Sequence, residues 1–167
     1  LDRVPTEEKK KEYYAIISKE AQRLTGIVNK ILNFSQTEAQ KKTFHIETLH
    51  VDTEVASILN TYDFHLRNKG FRYTYAGAND LAIRADKQAF VEAIINLIDN
   101  AMKYSEEKKH IEITSGVSGG FGFISIKDHG IGISNRDQKH IFDKFYRVSS
   151  GNLAKSRGTG LGLSLVQ

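Results

Sequence analysis

The stretch NLIDNAMKY, residues 96–104, ends a segment in which apolar residues recur every three or four positions. That spacing predicts an amphipathic helix over residues 87–104, with Asp86 as its N-cap. The stretch interrupts the apolar pattern with two asparagines, a lysine and a tyrosine. We therefore take this helix as the element around which the chain is organised, and as the first candidate for a binding site.

Two carboxamides lie four residues apart on this predicted helix, at Asn96 and Asn100, and so share one face. Mg²⁺ prefers oxygen ligands and shares its coordination sphere with waters and substrate phosphates, which suits a neutral carboxamide. Lys103 follows as a compact positive charge for phosphate, with Tyr104 beside it. The alternative is that these residues are only the polar side of an exposed helix.

A glycine-rich turn, DHGIGI at residues 128–133, follows a predicted strand. The carboxylate of Asp128 can accept a hydrogen bond from an exocyclic amine, which selects adenine over guanine at that edge of the base. Gly130 and Gly132 allow the backbone to approach a planar ring closely. A short D-x-G-x-G sequence is also compatible with a simple turn.

A second glycine-rich stretch, RGTGLGL at residues 157–163, precedes a predicted helix start. Backbone N–H groups at such a position can bind phosphates. The stretch is not a Walker A loop, because it lacks the G-K-[ST] ending, and no βαβ unit surrounds it as a dinucleotide fingerprint requires.

Between the two glycine-rich stretches lies FDKFYR, residues 142–147. Phe142 and Phe145 are three residues apart, which favours a hydrophobic latch, while Lys144 and Arg147 could reach phosphates. The position of residues 134–158 between two nucleotide-contacting turns, together with their polar end, predicts a mobile lid.

The first forty residues predict a different kind of element, one long helix over residues 6–40 with a polar linker at 36–42. Its apolar residues are spaced as in the seam of a coiled coil, at Tyr14, Ile17, Ala21, Leu24, Val28 and Ile31. Such a stripe needs a partner helix from another chain or from a segment outside this one. The alternative is that the stripe packs on the chain's own globular domain.

The remaining segments combine strands and helices. Strands are predicted at residues 44–51, 71–77, 81–85, 110–117 and 121–128, the last two as a hairpin around Ser118-Gly119-Gly120. Helices are predicted at 53–68, capped by Asp52 and ended by Gly70, and at 134–140. Antiparallel strands with helices on one face indicate an α+β fold.

Composition narrows the class of protein. The 167 residues carry a net charge of +4, which is too small an excess to indicate nucleic-acid binding. The chain has no cysteine, which excludes disulfides and zinc–thiolate sites. No apolar run approaches the ~20 residues needed to cross a bilayer, so we expect no membrane contact from this chain.

The four motifs NLIDNAMKYS, DHGIGI, FDKFYR and RGTGLGLSLV follow the order of the N, G1, F and G2 boxes of sensor histidine kinases. Residues 43–167 resemble the ATP-binding domain of that family, and residues 12–38 resemble the second helix of its dimerisation and phosphoacceptor hairpin. The resemblance implies a Bergerat-type two-layer α/β sandwich, with domains at 1–40 and 41–167. The strands that close the sheet in the family are expected to be missing.

The resemblance also implies a Mg-ATP site. Asn100 would coordinate Mg²⁺, Lys103 and Tyr104 would contact the phosphates, and Asp128 would hydrogen-bond the adenine amino group. The full set of implied ATP-binding residues is Asn96, Asn100, Lys103, Tyr104, Asp128, Gly130, Gly132, Ile133, Lys144, Arg147, Gly158, Thr159, Gly160, Leu161 and Gly162.

The implied activity is transfer of the ATP γ-phosphoryl group to a histidine, and from there to an aspartate of a response-regulator receiver domain. None of the six histidines lies in a motif like H-E-x-R-T-P, so we assign no phosphoacceptor and no catalytic residue to this chain. The resemblance further implies homodimerisation through the long helix and the cytoplasmic portion of a membrane-anchored sensor kinase.

Two other functions stay open. One is a related ATPase, but in those enzymes a glutamate four residues before the magnesium asparagine activates water, and here that residue is Asn96, which cannot act as a base. The other is a degenerate module that binds partners and no longer uses ATP. The presence of Asn100, Lys103 and Asp128 argues against it.

Overall fold

A computed structural model describes residues 6–38, 43–105, 107–148 and 159–166. The chain divides into two compact units, residues 1–43 and 44–167. The assignment of residues 1–40 and 41–167 to two family domains stays a prediction.

In the described part of the first unit the chain forms one helix, α1, over Glu7–Glu38. It confirms the predicted long helix, whose predicted last residues lie outside the described part of the chain. Apolar side chains of the predicted seam stay exposed within this unit: Tyr14 is 68% and Ile17 63% exposed. Among the described residues, no helix is both long and apolar enough to cross a bilayer.

The second unit contains five strands and three helices within the described residues. In chain order they are β1 Ile46–His50, α2 Val51–Asn68, β2 Arg72–Ala76, β3 Ala82–Asp86, α3 Lys87–Tyr104, β4 His110–Ser118, β5 Phe121–Lys127 and α4 Asn135–Gln138. A single 3₁₀ turn follows at Leu163–Leu165, where the sequence predicted a helix start. The predicted α+β class is confirmed.

The strands form two sheets. The larger has the order β2-β4-β5, with β2 parallel and β5 antiparallel to β4, so it is mixed. The smaller is the antiparallel pair β1-β3. The β4–β5 hairpin turns at Gly119 and Gly120, both of which have positive φ, as its predicted glycine turn requires.

A hydrophobic core joins α2 and α3 to the larger sheet. Its members share near-complete burial: Val51, Val55, Ile58, Leu59, Leu66, Phe71, Ile94, Ile98, Ala101, Met102, Ile111 and Ile113. The apolar residues of α3 face this core, which fixes the orientation of that helix and therefore of the polar residues between them.

The two predicted helix caps have different outcomes. Asp86 does cap α3, because its side chain accepts a 2.8 Å hydrogen bond from the Ala89 N–H. Asp52 does not cap α2: that helix begins one residue earlier, at Val51. The Asp52 carboxylate is instead engaged by the hydroxyls of Tyr75 and Ser115. Hydrogen bonds to residues distant in sequence thus take the place of the predicted N-cap bond.

Candidate functional site

The site is arranged around the C-terminal half of α3. Asn96 is buried, with 6% of its surface exposed, although carboxamides are usually found at the surface. Asn100, one turn later, and Lys103 are only partly buried. Asn96 lies beside Gly162 of the second glycine-rich stretch, and Asn100 follows one turn later on the same helix.

The DHGIGI turn docks on the last turn of α3. The N–H of Ile131 donates to the carbonyl oxygen of Tyr104 at 3.3 Å. At Gly130 there is no room for a side chain, since a Cβ would lie 2.4 Å from that same carbonyl oxygen. The glycine therefore permits a close approach between the turn and the helix end, whereas the sequence predicted a close approach to a planar ring.

Asp128 is exposed and is held within this turn. Its Oδ1 accepts a hydrogen bond from the Gly130 N–H at 2.7 Å and a longer one, at 3.5 Å, from the hydroxyl of Ser105. Ser105 is the C-cap residue of α3 and is 1% exposed. Both bonds engage the same carboxylate oxygen, and they fix the direction in which the other oxygen points.

The second glycine-rich stretch contacts α3 from another side. A Cβ on Gly162 would lie 3.4 Å from the Asn96 Oδ1, so the glycine passes directly over this carboxamide. Leu161 beside it is fully buried. Its N–H donates to the Thr159 hydroxyl at 3.4 Å. This contact explains the burial of Asn96, which the sequence alone placed only on a helix face.

The FDKFYR segment is joined to the same stretch through backbone. The Phe145 N–H donates to the Gly160 carbonyl at 3.1 Å, and a Cβ on Gly160 would meet the Phe145 backbone at 2.7 Å. Both residues have positive φ. The rings of Phe142 and Phe145 are 43% and 60% exposed. The sequence predicted a hydrophobic latch from these two rings, whereas backbone atoms make the contact with the second glycine-rich stretch.

Lys103 and Tyr104 form a pair at the end of α3. The Lys103 Nζ donates to the Tyr104 hydroxyl at 2.9 Å and lies 4.7 Å from the centre of its ring. The structure thus keeps the positive charge close to the helix end, near the turn that Tyr104 anchors.

A small polar cluster stabilises the segment after the DHGIGI turn. Ser134 caps α4 by accepting from the Asp137 N–H at 3.1 Å, and the Tyr146 hydroxyl donates to Asp137 at 2.7 Å. Bonds from Tyr146 and then Ser134 lower the pKa of Asp137, while the same bond raises the pKa of Tyr146. The exposed Lys144 and Arg147 lie within this segment.

The structure brings the predicted residues into three contacts: the 128–130 turn on the end of α3, Gly162 on Asn96, and Gly160 on the 142–147 segment. Gly132 has a positive φ and an open surrounding, and Ile133 is 45% exposed. Gly158 lies outside the described residues, as do residues 149–157 of the predicted lid.

Sequence reasoning missed Ser105 and the Tyr104 carbonyl as site groups. Ser105 follows Tyr104 directly at the end of the NLIDNAMKYS motif, so its position was a usable signal. The carbonyl was not, because a backbone acceptor has no side-chain identity to read.

Comparison with known proteins agrees with this geometry. Residues 85–167 match the family model described as histidine kinase-, DNA gyrase B- and HSP90-like ATPase. The sensor protein RprX of Bacteroides fragilis is 36% identical over 155 residues, covering 91% of this chain and 30% of that protein. The histidine-protein kinase ArlS of Staphylococcus epidermidis is 31% identical over 148 residues, covering 89% of this chain and 32% of that protein.

The chain belongs to the sensor histidine kinases within this ATPase family. The predicted resemblance is confirmed. The chain spans about a third of the length of these curated relatives.

Solved structures show the same fold. The histidine kinase AdeS of Acinetobacter baumannii aligns with a TM-score of 0.75 and 22% identity, over 98% of this chain and 73% of that chain. Full-length ShkA, solved in complex with AMPPNP, aligns with a TM-score of 0.80 and 22% identity, over 99% of this chain and 34% of that chain. The kinase ThkA, solved with the response regulator TrrA, has a TM-score of 0.71 and 23% identity, over 90% of this chain and 44% of that chain.

Proposed function

We propose that this chain binds Mg-ATP and donates its γ-phosphoryl group to a histidine outside the chain, from which a response-regulator aspartate receives it. One observation carries the proposal. The DHGIGI turn and the second glycine-rich stretch both contact α3, at Tyr104 and at Asn96, and Asn100 and Lys103 lie on the helix between these two contacts.

Asp128 is the adenine-reading group in this proposal. Because the Gly130 N–H occupies Oδ1, the other carboxylate oxygen is the acceptor for the 6-amino group of the base. The close approach of Gly130 to α3, and the open surrounding of Gly132, leave backbone rather than side chains beside the ring.

Asn100 is the proposed Mg²⁺ ligand, with Lys103 and Tyr104 near the phosphates. Within the described residues, no three His, Cys, Asp or Glu side chains are grouped so as to hold a metal ion. A single carboxamide oxygen suits a Mg²⁺ site without such a group of protein ligands, because Mg²⁺ bound with a nucleotide takes much of its coordination from waters and substrate phosphates. The proposed residues at the phosphate end also include Lys144, Arg147, Thr159, Gly160 and Gly162.

Phosphoryl transfer by this site would depend on positioning and charge stabilisation rather than on covalent chemistry by the protein. The burial of Asn96 against Gly162 supports transfer over hydrolysis. A neutral carboxamide occupies the place where the related ATPases carry a basic glutamate, so no described side chain there can deprotonate water.

In the whole protein we propose dimerisation through α1 and a cytoplasmic location beside a membrane anchor.

The test is transfer from γ-labelled Mg-ATP to a purified phosphoacceptor hairpin of a related sensor kinase. We expect acid-labile label on the hairpin and none on this chain. Replacing Asn100 with alanine should slow the transfer on the order of a hundredfold, because a metal ligand is lost.

The matched control is Asn60→Ala, which removes an exposed carboxamide from α2 and should leave transfer unchanged. Label that appears only as free phosphate would favour the ATPase alternative. Equal transfer by the Asn100 and Asn60 variants would contradict the assignment of the metal ligand.

A further inference from the structure

A histidine lies inside the nucleotide-binding turn, between Asp128 and Gly130. The Nε2 of His129 lies 2.8 Å from the Oε1 of Glu112 on β4, and the His129 side chain is only 22% exposed. A carboxylate can only accept, so the imidazole N–H donates to it. This contact crosses from the turn to the sheet, on the side away from α3.

Glu112 is itself held in place. It faces Lys127 in the antiparallel β4–β5 register, and the Lys127 Nζ lies 3.3 Å from its Oε1. Bonds from His129 and then Lys127 lower the pKa of the Glu112 carboxyl. The other ionisable neighbour is His110, whose ring centre lies 6.2 Å from that of His129. The carboxylate is thus a fixed, charged anchor on a paired strand.

The turn is therefore fastened on two sides. On one side Ile131 bonds to the Tyr104 carbonyl at the end of α3, and on the other His129 bonds to Glu112. Asp128 precedes both contacts and Gly130 separates them. A hydrogen bond to a base weakens steeply with distance and angle, so a small tilt of this turn would misplace the Asp128 carboxylate.

We propose that His129 and Glu112 are positioning residues for adenine recognition: their hydrogen bond holds the turn so that Asp128 meets the 6-amino group of the base. This inference rests on the proposed function of Asp128. It assigns a role to the residue between Asp128 and Gly130, which the D-x-G-x-G pattern leaves unspecified, and to a strand residue outside all four motifs.

The test compares two nucleotides that differ only at the group concerned. ATP carries the 6-amino group and purine riboside triphosphate lacks it, so a positioning role affects the first ligand alone. We expect His129→Ala and Glu112→Ala each to weaken Mg-ATP binding ~5- to 10-fold, the loss of about one hydrogen bond, and to leave binding of purine riboside triphosphate unchanged. The double variant should lose little more than either single variant, because both remove the same contact.

Two further variants sharpen the test. His129→Gln keeps a side-chain N–H donor and should recover part of the ATP affinity. His110→Ala removes the neighbouring imidazole, for which the structure shows no bond to Glu112 within the described residues, and should bind ATP like the parent chain. Affinities are measured by calorimetry.

A measurement without nucleotide separates this inference from the proposed function. The Gly130 amide proton donates to Asp128, so its NMR resonance reports the position of the carboxylate in the free chain. We expect it to move upfield in His129→Ala and Glu112→Ala and not in His110→Ala. A shifted Gly130 resonance with no ATP binding by any variant would overturn the proposed function and leave the positioning contact standing.

Two results would overturn the inference itself. One is an unchanged Gly130 resonance together with unchanged ATP affinity in both alanine variants. The other is an equal loss of affinity for both nucleotides accompanied by a lower melting temperature, which would make the contact a general support of the fold.

Discussion

At the scale of single residues, Gly130 is the position at which the structure most clearly requires glycine. A Cβ at this position would lie 2.4 Å from the Tyr104 carbonyl oxygen and 2.8 Å from the Asp128 Oδ1. The first neighbour is backbone of α3 and cannot rotate away. The turn would have to lift off the helix end to accept any side chain.

Gly130→Ala should therefore destabilise the chain by ~1–3 kcal/mol, the usual cost of overpacking, and should also weaken ATP binding. Urea denaturation and calorimetry measure the two effects. Gly132→Ala is the matched control: its φ is +71° but nothing lies near a Cβ, so we expect only the left-handed backbone cost of ~1–2 kcal/mol. Parent-like stability of Gly130→Ala would show that the turn does not rest on α3.

Single residues also show which features of the site could be predicted from the sequence and which could not. The D-x-G-x-G pattern singles out Asp128 and Gly130, because an adenine acceptor needs a carboxylate and a close backbone approach needs glycine. The adenine role itself stays a proposal. The His129–Glu112 contact could not be predicted, since it depends on the β4–β5 register, which places a residue of one strand beside a turn seventeen residues later.

At the scale of elements, α3 was predictable with its correct bounds and α2 was not. The apolar spacing of α3 and its Asp86 cap agree with each other, and the structure keeps both. For α2 the local signal, Asp52 as a cap, conflicted with a tertiary one, the hydroxyls of Tyr75 and Ser115. Propensity and capping rules consider only neighbouring residues, so they do not predict bonds to partners that are distant in sequence.

The Asp86 cap gives a prediction at this scale. Its two carboxylate oxygens accept from the Ala89 N–H, and from the His45 N–H across the β1–β3 end, each at 2.8 Å. Asp86→Ala should cost ~1–2 kcal/mol of unfolding free energy in urea, because both donors lose their acceptor. Asp86→Asn, whose single carboxamide oxygen can accept from only one of the two N–H groups, should lose an intermediate amount. Equal losses in both variants would point to charge rather than capping.

At the scale of the whole molecule, the hydrophobic core lies entirely within the second unit. The α+β class followed from the order of elements, whereas the separation of β1-β3 from β2-β4-β5 did not, because strand pairing between distant segments is not encoded in local periodicity. The apolar stripe of α1 was predictable from its heptad-like spacing, whereas dimerisation through it stays a proposal.

The division into two units predicts that residues 44–167 fold without the helix. A chain starting at Phe44 should melt at the same temperature and bind Mg-ATP with the same affinity as the full chain, since no core residue is removed. Differential scanning calorimetry with and without Mg-ATP measures both properties. A large drop in melting temperature would show that α1 contributes to the stability of the second unit.

The central claim is that the region between α3 and the two glycine-rich stretches is an adenine nucleotide site read by Asp128. The most direct test is calorimetric titration of Asp128→Asn with Mg-ATP, with Glu107→Gln as a control that makes the same change of charge on an exposed residue. The Gly130 N–H would keep the carboxamide oxygen, so that an NH₂ donor would face the donor 6-amino group. The account predicts at least a roughly tenfold loss of ATP affinity in Asp128→Asn alone, about 1.4 kcal/mol. ATP affinity equal to that of Glu107→Gln would contradict it.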